Sequence, residues 1–171
     1  MSHPAAPLIV TATFGDGANG WLQELRRKHY PADRNRVPAH LTLFQQLPPS
    51  AESEVARRLA GHAATPPPRA VIAGIMDLGE GTALRVASEA LEDIRDDLAA
   101  ALQGLLTAQD QGAWTPHVTI QNKVEPKEAR RLQQQLAARF QGQPLDLKGL
   151  ALWRYLGGPW EPVKAWSFRG G

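Results

Sequence analysis

Two short stretches of the chain share a pattern in which a threonine follows a histidine by two residues. The first stretch, PAHLTLF, contains His40 and Thr42, and the second, TPHVTI, contains His117 and Thr119. Histidine titrates near neutral pH, so one member of a histidine pair can accept a proton while the other donates one. A threonine hydroxyl can donate a hydrogen bond to a phosphoryl oxygen. The pattern therefore favours acid–base chemistry at an anionic phosphorus centre, and this chemistry requires no metal ion.

Both motifs fall on predicted strands. The first strand is predicted over residues 37–44, and the second is predicted within TPHVTIQNKV. Successive side chains of a strand point to opposite faces, so His40, Thr42 and Phe44 are expected to share one face. By the same rule His117 and Thr119 share a face. If the two faces oppose each other, the two pairs would hold a phosphorus centre from both sides.

The order of the predicted elements around the motifs repeats. Residues 8–78 are predicted as strand, helix, motif strand, helix and strand, and residues 82–156 follow the same order. A closing strand is predicted at about 162–168. We therefore expect one domain over residues 1–171 that contains two duplicated units, which can pack around a pseudo-twofold axis.

Composition excludes several other classes of protein. The 171 residues include no cysteine, so disulfides, thiolate metal sites and a cysteine nucleophile are excluded. No apolar run approaches the roughly 20 residues that span a bilayer, and the first residues do not resemble a signal peptide. A formal net charge of +2 permits an anionic ligand but is far from the basic surface of a duplex-binding protein. A cytoplasmic protein without a membrane or an obligatory protein partner is expected, and we expect a monomer.

With its two H-x-T-x motifs in matching units, the chain resembles the 2H phosphoesterases, and among them the bacterial 2′-5′ RNA ligase-like, or RNA 2′,3′-cyclic phosphodiesterase, proteins. The resemblance extends from Leu8 to about Phe168, and the closing LALWRYLGGPWEPVKAWSF also looks like that branch. The sequence HVTIQNKV departs from the branch, because it lacks the arginine that often follows the second motif.

The resemblance implies an α/β (α+β) fold of two pseudo-symmetric lobes, each an antiparallel-rich sheet with outer helices, around a central groove. It implies an enzyme without a cofactor that opens a 2′,3′-cyclic phosphate at an RNA or nucleotide end to leave a 2′-phosphate. His117 is assigned as base and His40 as acid, with Thr42 and Thr119 on the phosphate. Run in reverse with a 5′-hydroxyl RNA end, the same groups would form a 2′-5′ linkage.

Further side chains are candidate contacts to the substrate. Charged residues in predicted strands must find a partner or a groove, and aromatic residues can stack on a nucleobase. The candidates are Phe44, Arg85, Lys123, Arg154 and Tyr155, with Trp153 as the alternative to Tyr155 and with Arg34 and Arg36 in the loop before the first motif.

The sequence is also compatible with other functions. Within the enzyme class, the substrate could be a small cyclic nucleotide such as an ADP-ribose cyclic phosphate, or a 2′-5′ linked oligonucleotide. From another class, the rival is a module that binds nucleotide or RNA without turnover. A purely structural protein is the weakest alternative, because it leaves the repeated motif unexplained.

Overall fold

The computed structural model describes residues 5–35 and 37–169. Eight strands and five helices lie in this part of the chain. The strands are β1 (Leu8–Phe14), β2 (Leu41–Leu47), β3 (Val71–Asp77), β4 (Thr82–Ala87), β5 (His117–Gln121), β6 (Gln143–Pro144), β7 (Leu147–Tyr155) and β8 (Trp160–Ser167). The helices are α1 (Asp16–His29), α2 (Glu52–Ala63), α3 (Glu89–Ala101), α4 (Ala108–Gln111) and α5 (Pro126–Ala137).

The strands form two antiparallel sheets of four strands each, which confirms the predicted α/β (α+β) architecture with two lobes. One sheet has the order β2-β1-β7-β8 and the other has the order β5-β4-β3-β6. Each sheet therefore holds one of the two motifs, on β2 in the first sheet and on β5 in the second.

The strand order shows an exchange between the two predicted units. Strand β3 closes residues 8–78 in sequence, yet it pairs with β4 in the second sheet. Strand β7 closes residues 82–156, yet it pairs with β1 in the first sheet. The division of the chain into duplicated units stays a prediction, and each lobe is built from strands of both.

Local signals set several ends of the helices. The hydroxyl of Ser88 accepts a hydrogen bond from the backbone N–H of Leu91 at 3.2 Å, so Ser88 is the N-cap of α3. Pro126 begins α5, where the N–H that proline lacks would have no partner within the helix. Ser50 lies in a 3₁₀ turn, and the N-cap of α2 is Ala51, which forms no side-chain cap. The connection after α3 contains the short helix α4.

The helices pack against the sheets around one apolar core. Helix α2 contacts β7 and β8, whereas α5 contacts β3 and β4. Helix α1 contacts β1 of its own lobe and β5 of the other, and its Trp21 stacks on Phe140 at 5.5 Å between ring centroids. Within the described ranges, no helix is long and apolar enough to cross a membrane.

Two buried arginines connect the helices to the motif strands. Arg26 of α1 is 2% exposed and donates hydrogen bonds to the carbonyl of Thr119 at 2.8 Å and to that of Val37 at 2.9 Å. Arg95 of α3 is 7% exposed and donates to the carbonyl of Leu43 at 3.0 Å. Each arginine therefore binds the backbone of a motif strand that belongs to the other predicted unit.

Replacement of Arg26 by methionine should lower the free energy of unfolding by about 3 kcal/mol, because it leaves buried carbonyl groups without a donor. The side chain of Asn35, which accepts from Arg26 at 3.1 Å, loses a partner as well. Denaturant unfolding measures the change. The control is Arg27→Met, which removes an exposed ion pair with Glu24 and should change stability little. Equal losses in the two variants would contradict a bridging role for Arg26.

Candidate active site

A groove of about 750 Å³ lies between the two sheets. Both histidines and both threonines of the motifs line it, so the structure brings the four side chains of the two motifs together. The other lining residues are Pro7, Ile9, Leu43, Gln45, Gln46, Met76, Arg95, Gln109, Asp110, Ala113, Trp114, Thr115, Tyr155 and Trp160.

The two histidines are held by the same local geometry. Nδ1 of His40 lies 2.7 Å from the carbonyl oxygen of Pro38, and Nδ1 of His117 lies 2.8 Å from that of Thr115. In each case the acceptor is two residues earlier in the chain. The Nδ1–H donates to a carbonyl, so Nε2 of each ring is left for the groove.

The environment of His40 disfavours its charged form. Its ring packs against Trp160, with 4.6 Å between ring centroids. Burial lowers the pKa of His40 to about 4, although the hydrogen bond to Pro38 acts in the opposite direction. Electrostatic interactions with Arg26 and His117 lower the pKa of His40 further. In the free protein His40 is therefore neutral at pH 7.

The two threonines lie on β2 and β5, each of which is an edge strand of its sheet. Thr42 lies opposite Thr11 of β1, and Thr119 lies opposite Ala83 of β4. Within residues 5–35 and 37–169, neither the Thr42 nor the Thr119 hydroxyl hydrogen-bonds to another protein group. Both hydroxyls therefore remain available to a ligand in the groove.

The family model of the 2′-5′ RNA ligase superfamily matches residues 14–159. The chain belongs to this superfamily of 2H phosphoesterases. No curated protein matches the chain.

Solved structures share the fold at low sequence identity. TT0787 of Thermus thermophilus is 19% identical with a TM-score of 0.66, and the match covers 96% of this chain and 98% of that chain. Escherichia coli LigT, in a complex with 3′-AMP, is 18% identical with a TM-score of 0.55, and the match covers 95% and 98%. A third match, described as a phosphoesterase, is 16% identical with a TM-score of 0.56 and covers 96% and 98%. At these identities the likeness shows the fold alone.

In this 2H phosphoesterase, side chains missed by the sequence analysis hold the first motif in place. Nε1 of Trp114 donates to the carbonyl of Thr42 at 3.0 Å. The carboxylate of Asp110 accepts hydrogen bonds from the backbone N–H groups of Gln45 and Gln46, both at 2.9 Å. Arg95 donates to the carbonyl of Asp110 at 2.8 Å. These contacts join the edge strand β2 to the segment that precedes the second motif.

Phe44 was expected on the face of His40 but lies in the core. The register pairs Thr11 with Thr42 and Val10 with Phe44, so Leu43 is an extra residue in β2. Such a bulge resets the alternation of side chains, which turns Phe44 away from the groove. Its buried ring lies under Arg95, with 4.5 Å from the guanidinium carbon to the ring centroid.

Several predicted contacts lie outside the lining of the groove. Arg154 forms ion pairs with Glu52 at 2.6 Å and Glu161 at 3.1 Å, so its partners are carboxylates. Lys123 lies in the turn after β5 with a φ of 60°, and it is exposed. Arg34 is exposed on a 3₁₀ turn, and Arg36 is outside the described residues.

Aromatic residues line the groove on the side of the first sheet. The candidate contact Tyr155 lines it and pairs across the strands with Trp160. Trp153 instead donates from Nε1 to the hydroxyl of Thr11 at 3.0 Å. Trp160 was missed, although its place in PWEP between two predicted strands was a signal for a residue at a strand end.

The described residues contain no group of three or more histidine, aspartate, glutamate or cysteine side chains that could hold a metal ion. Arg85 is exposed on β4 and lies opposite His117, but it does not line the cavity itself.

A titration followed by NMR should place the pKa of His40 at about 4 in the free protein, because burial disfavours the imidazolium. Added inorganic phosphate should raise this pKa, since a nearby anion stabilises the charged ring. The spectrum of His40→Gln identifies the signal. A midpoint near the ordinary value of about 6.5 in the free protein would contradict the burial of this ring.

Proposed function

We propose that this protein is a phosphodiesterase that opens the 2′,3′-cyclic phosphate at an RNA or nucleotide end and leaves a 2′-phosphate. The observation that supports this proposal is the groove in which one histidine–threonine pair from each sheet faces the same space. Membership of the 2H phosphoesterases agrees with it. A binding module needs no pair of proton-transfer groups, so the geometry favours turnover.

The reaction uses the histidines in turn. One imidazole takes a proton from water as the oxygen attacks phosphorus, and the bond from phosphorus to the 3′ oxygen breaks. The other histidine gives its proton to that 3′ oxygen, which leaves a 3′-hydroxyl and a 2′-phosphate. Thr42 and Thr119 donate hydrogen bonds to the non-bridging oxygens, where negative charge develops. If the 5′-hydroxyl of an RNA end takes the place of water as the nucleophile, the same bond from phosphorus to the 3′ oxygen breaks and a 2′-5′ linkage forms.

The charge of His40 bears on the assignment of roles. We keep His117 as base and His40 as acid. Because His40 is neutral in the free protein, it must gain its proton when the anionic substrate binds. The negative charge of the phosphodiester beside the ring raises the pKa and makes this possible.

His40→Ala and His117→Ala should each lower kcat by about 10² to 10⁴ on nucleoside 2′,3′-cyclic phosphates, because positioned proton transfer supplies about that factor. The assay contains EDTA, and the product is identified as the 2′- or the 3′-phosphate. His29→Ala, at the end of α1 and outside the lining of the groove, is the control and should keep its activity.

The outcomes of this experiment separate the alternatives. Near-normal activity in either groove variant would refute the paired mechanism. A wild-type protein that binds nucleotides but turns over no cyclic phosphate would favour the binding module. Turnover of another small cyclic nucleotide alone would keep the enzyme class and change the substrate.

Thr42→Val and Thr119→Val should each lower kcat by about 10², the effect of removing one donor to a developing oxyanion. Their stability should change little, because neither hydroxyl hydrogen-bonds to the described part of the protein. Thr82→Val is the opposite control, since its buried hydroxyl donates to Gln121 at 3.0 Å outside the groove. It should lower stability and leave kcat near that of the wild type, as measured by thermal unfolding and initial rates.

A further inference from the structure

The groove between the two sheets has little positive charge that could bind a phosphate in addition to the reacting cyclic phosphate. Among its described lining residues, Arg95 is the single arginine or lysine. Its guanidinium already donates to the carbonyls of Leu43 and Asp110 and lies over the ring of Phe44. Among the described lining residues, therefore, no arginine or lysine is free to bind a second phosphodiester in addition to the one that reacts.

Arg85 lies on the same face of the second sheet, directly beside the second motif. It is the cross-strand partner of His117 in β5, and residues opposite each other in antiparallel strands point to the same side. On its other side, Arg85 pairs with Gly74 of β3. A Cβ atom at Gly74 would lie 3.4 Å from Nη2 of Arg85, so the missing side chain leaves room for the guanidinium over β3.

The guanidinium of Arg85 keeps most of its donors free. It is exposed, and it makes one long hydrogen bond of 3.5 Å to the carbonyl of Ala73. No carboxylate within residues 5–35 and 37–169 forms an ion pair with it. These free donors are therefore available to an anionic ligand on this face of the second sheet.

The corresponding position in the first sheet lacks this charge. Thr13 of β1 comes directly after Ala12, which pairs with Leu41 of β2, and it lies opposite Gly149 of β7. In the second sheet, His117, Arg85 and Gly74 lie side by side on neighbouring strands. The corresponding residues of the first sheet are His40, Thr13 and Gly149, so the two sheets differ in the residue between the histidine and the glycine. Positive charge therefore extends from the groove on the side of His117.

We propose that Arg85 binds the phosphodiester on the 5′ side of the terminal nucleotide, so that the enzyme prefers an RNA end to a free cyclic mononucleotide. This inference rests on the proposed function. In the terminal nucleotide, the ribose ring separates the cyclic phosphate from the phosphate on the 5′ oxygen. The cyclic phosphate lies between the histidines in the proposed reaction, so the 5′ phosphate lies to one side of them. The guanidinium over β3 is two strand spacings from β5, roughly 10 Å, which suits that second phosphate.

The first test compares a dinucleotide that ends in a 2′,3′-cyclic phosphate with the nucleoside 2′,3′-cyclic phosphate of the same terminal base. In the wild type, kcat/KM should favour the dinucleotide. Arg85→Met should reduce this preference about tenfold, because a hydrogen-bonded contact between opposite charges is lost. Arg85→Lys should retain part of the preference. Arg131→Met, which removes the same charge from the exposed face of α5, should leave the preference unchanged.

The second test does not depend on turnover. Binding of a trinucleotide that ends in a 2′-phosphate is measured at several KCl concentrations for the wild type, Arg85→Met and Arg131→Met. The slope of log K against log salt should be smaller by about 0.7 in Arg85→Met, the loss of one phosphate contact on a single strand. It should be unaltered in Arg131→Met.

The results distinguish the two proposals. If the wild type opens no cyclic phosphate, the proposed function fails, and the change in salt slope still decides the role of Arg85. If the wild type does not prefer the dinucleotide, or if Arg85→Met and Arg131→Met behave alike in both tests, the role of Arg85 is overturned.

Discussion

The positions of both motifs depend on two buried arginines, each of which connects a helix of one predicted unit to the motif strand of the other. Arg26 of α1 donates a hydrogen bond to the carbonyl of Thr119, and Arg95 of α3 donates one to the carbonyl of Leu43. A buried guanidinium must be hydrogen-bonded, and a carbonyl of a motif strand is a partner that cannot move independently of its histidine and threonine. Each helix therefore fixes the motif strand of the other unit. The placement of β3 in the second sheet and of β7 in the first sheet also connects the two predicted units, because each sheet contains strands from both.

The residues of the motif could be predicted because their evidence is local and repeated. A spacing of two on a strand places histidine and threonine on one face, and the second copy shows that the first is not accidental. The face of Phe44 could not be predicted, since the bulge at Leu43 arises from the register with β1 rather than from the sequence of β2. Arg154 was misjudged for a related reason. Its ion pair with Glu52 joins residues far apart in the chain, and Glu161 contacts it because the register of β7 and β8 places the two residues opposite each other.

The two walls of the groove differ although the motifs match. On the side of the first sheet, Tyr155 and Trp160 present aromatic surface, and Trp160 packs on the ring of His40. On the other side, the strands of the second sheet contribute Met76, His117 and Thr119 to the described lining. The aromatic contact removes water from one histidine, and this loss of hydration lowers its pKa. A site with nearly symmetric sequence motifs is therefore electrostatically asymmetric. In the proposed mechanism, the bound phosphodiester has to raise the pKa of His40 again before this ring can act as the acid.

This asymmetry has its origin outside the motifs. The local geometry of the two rings is the same, since each Nδ1 contacts the carbonyl two residues earlier. What differs is supplied by the neighbours, namely Trp160 beside His40 and Arg85 beside His117. Trp160 comes from the β7–β8 hairpin and Arg85 from β4, so neither could have been assigned to a histidine by its place in the sequence. Two matching motifs can supply two equal halves of a candidate site, but any difference between the two histidines has to come from side chains that the motifs do not share.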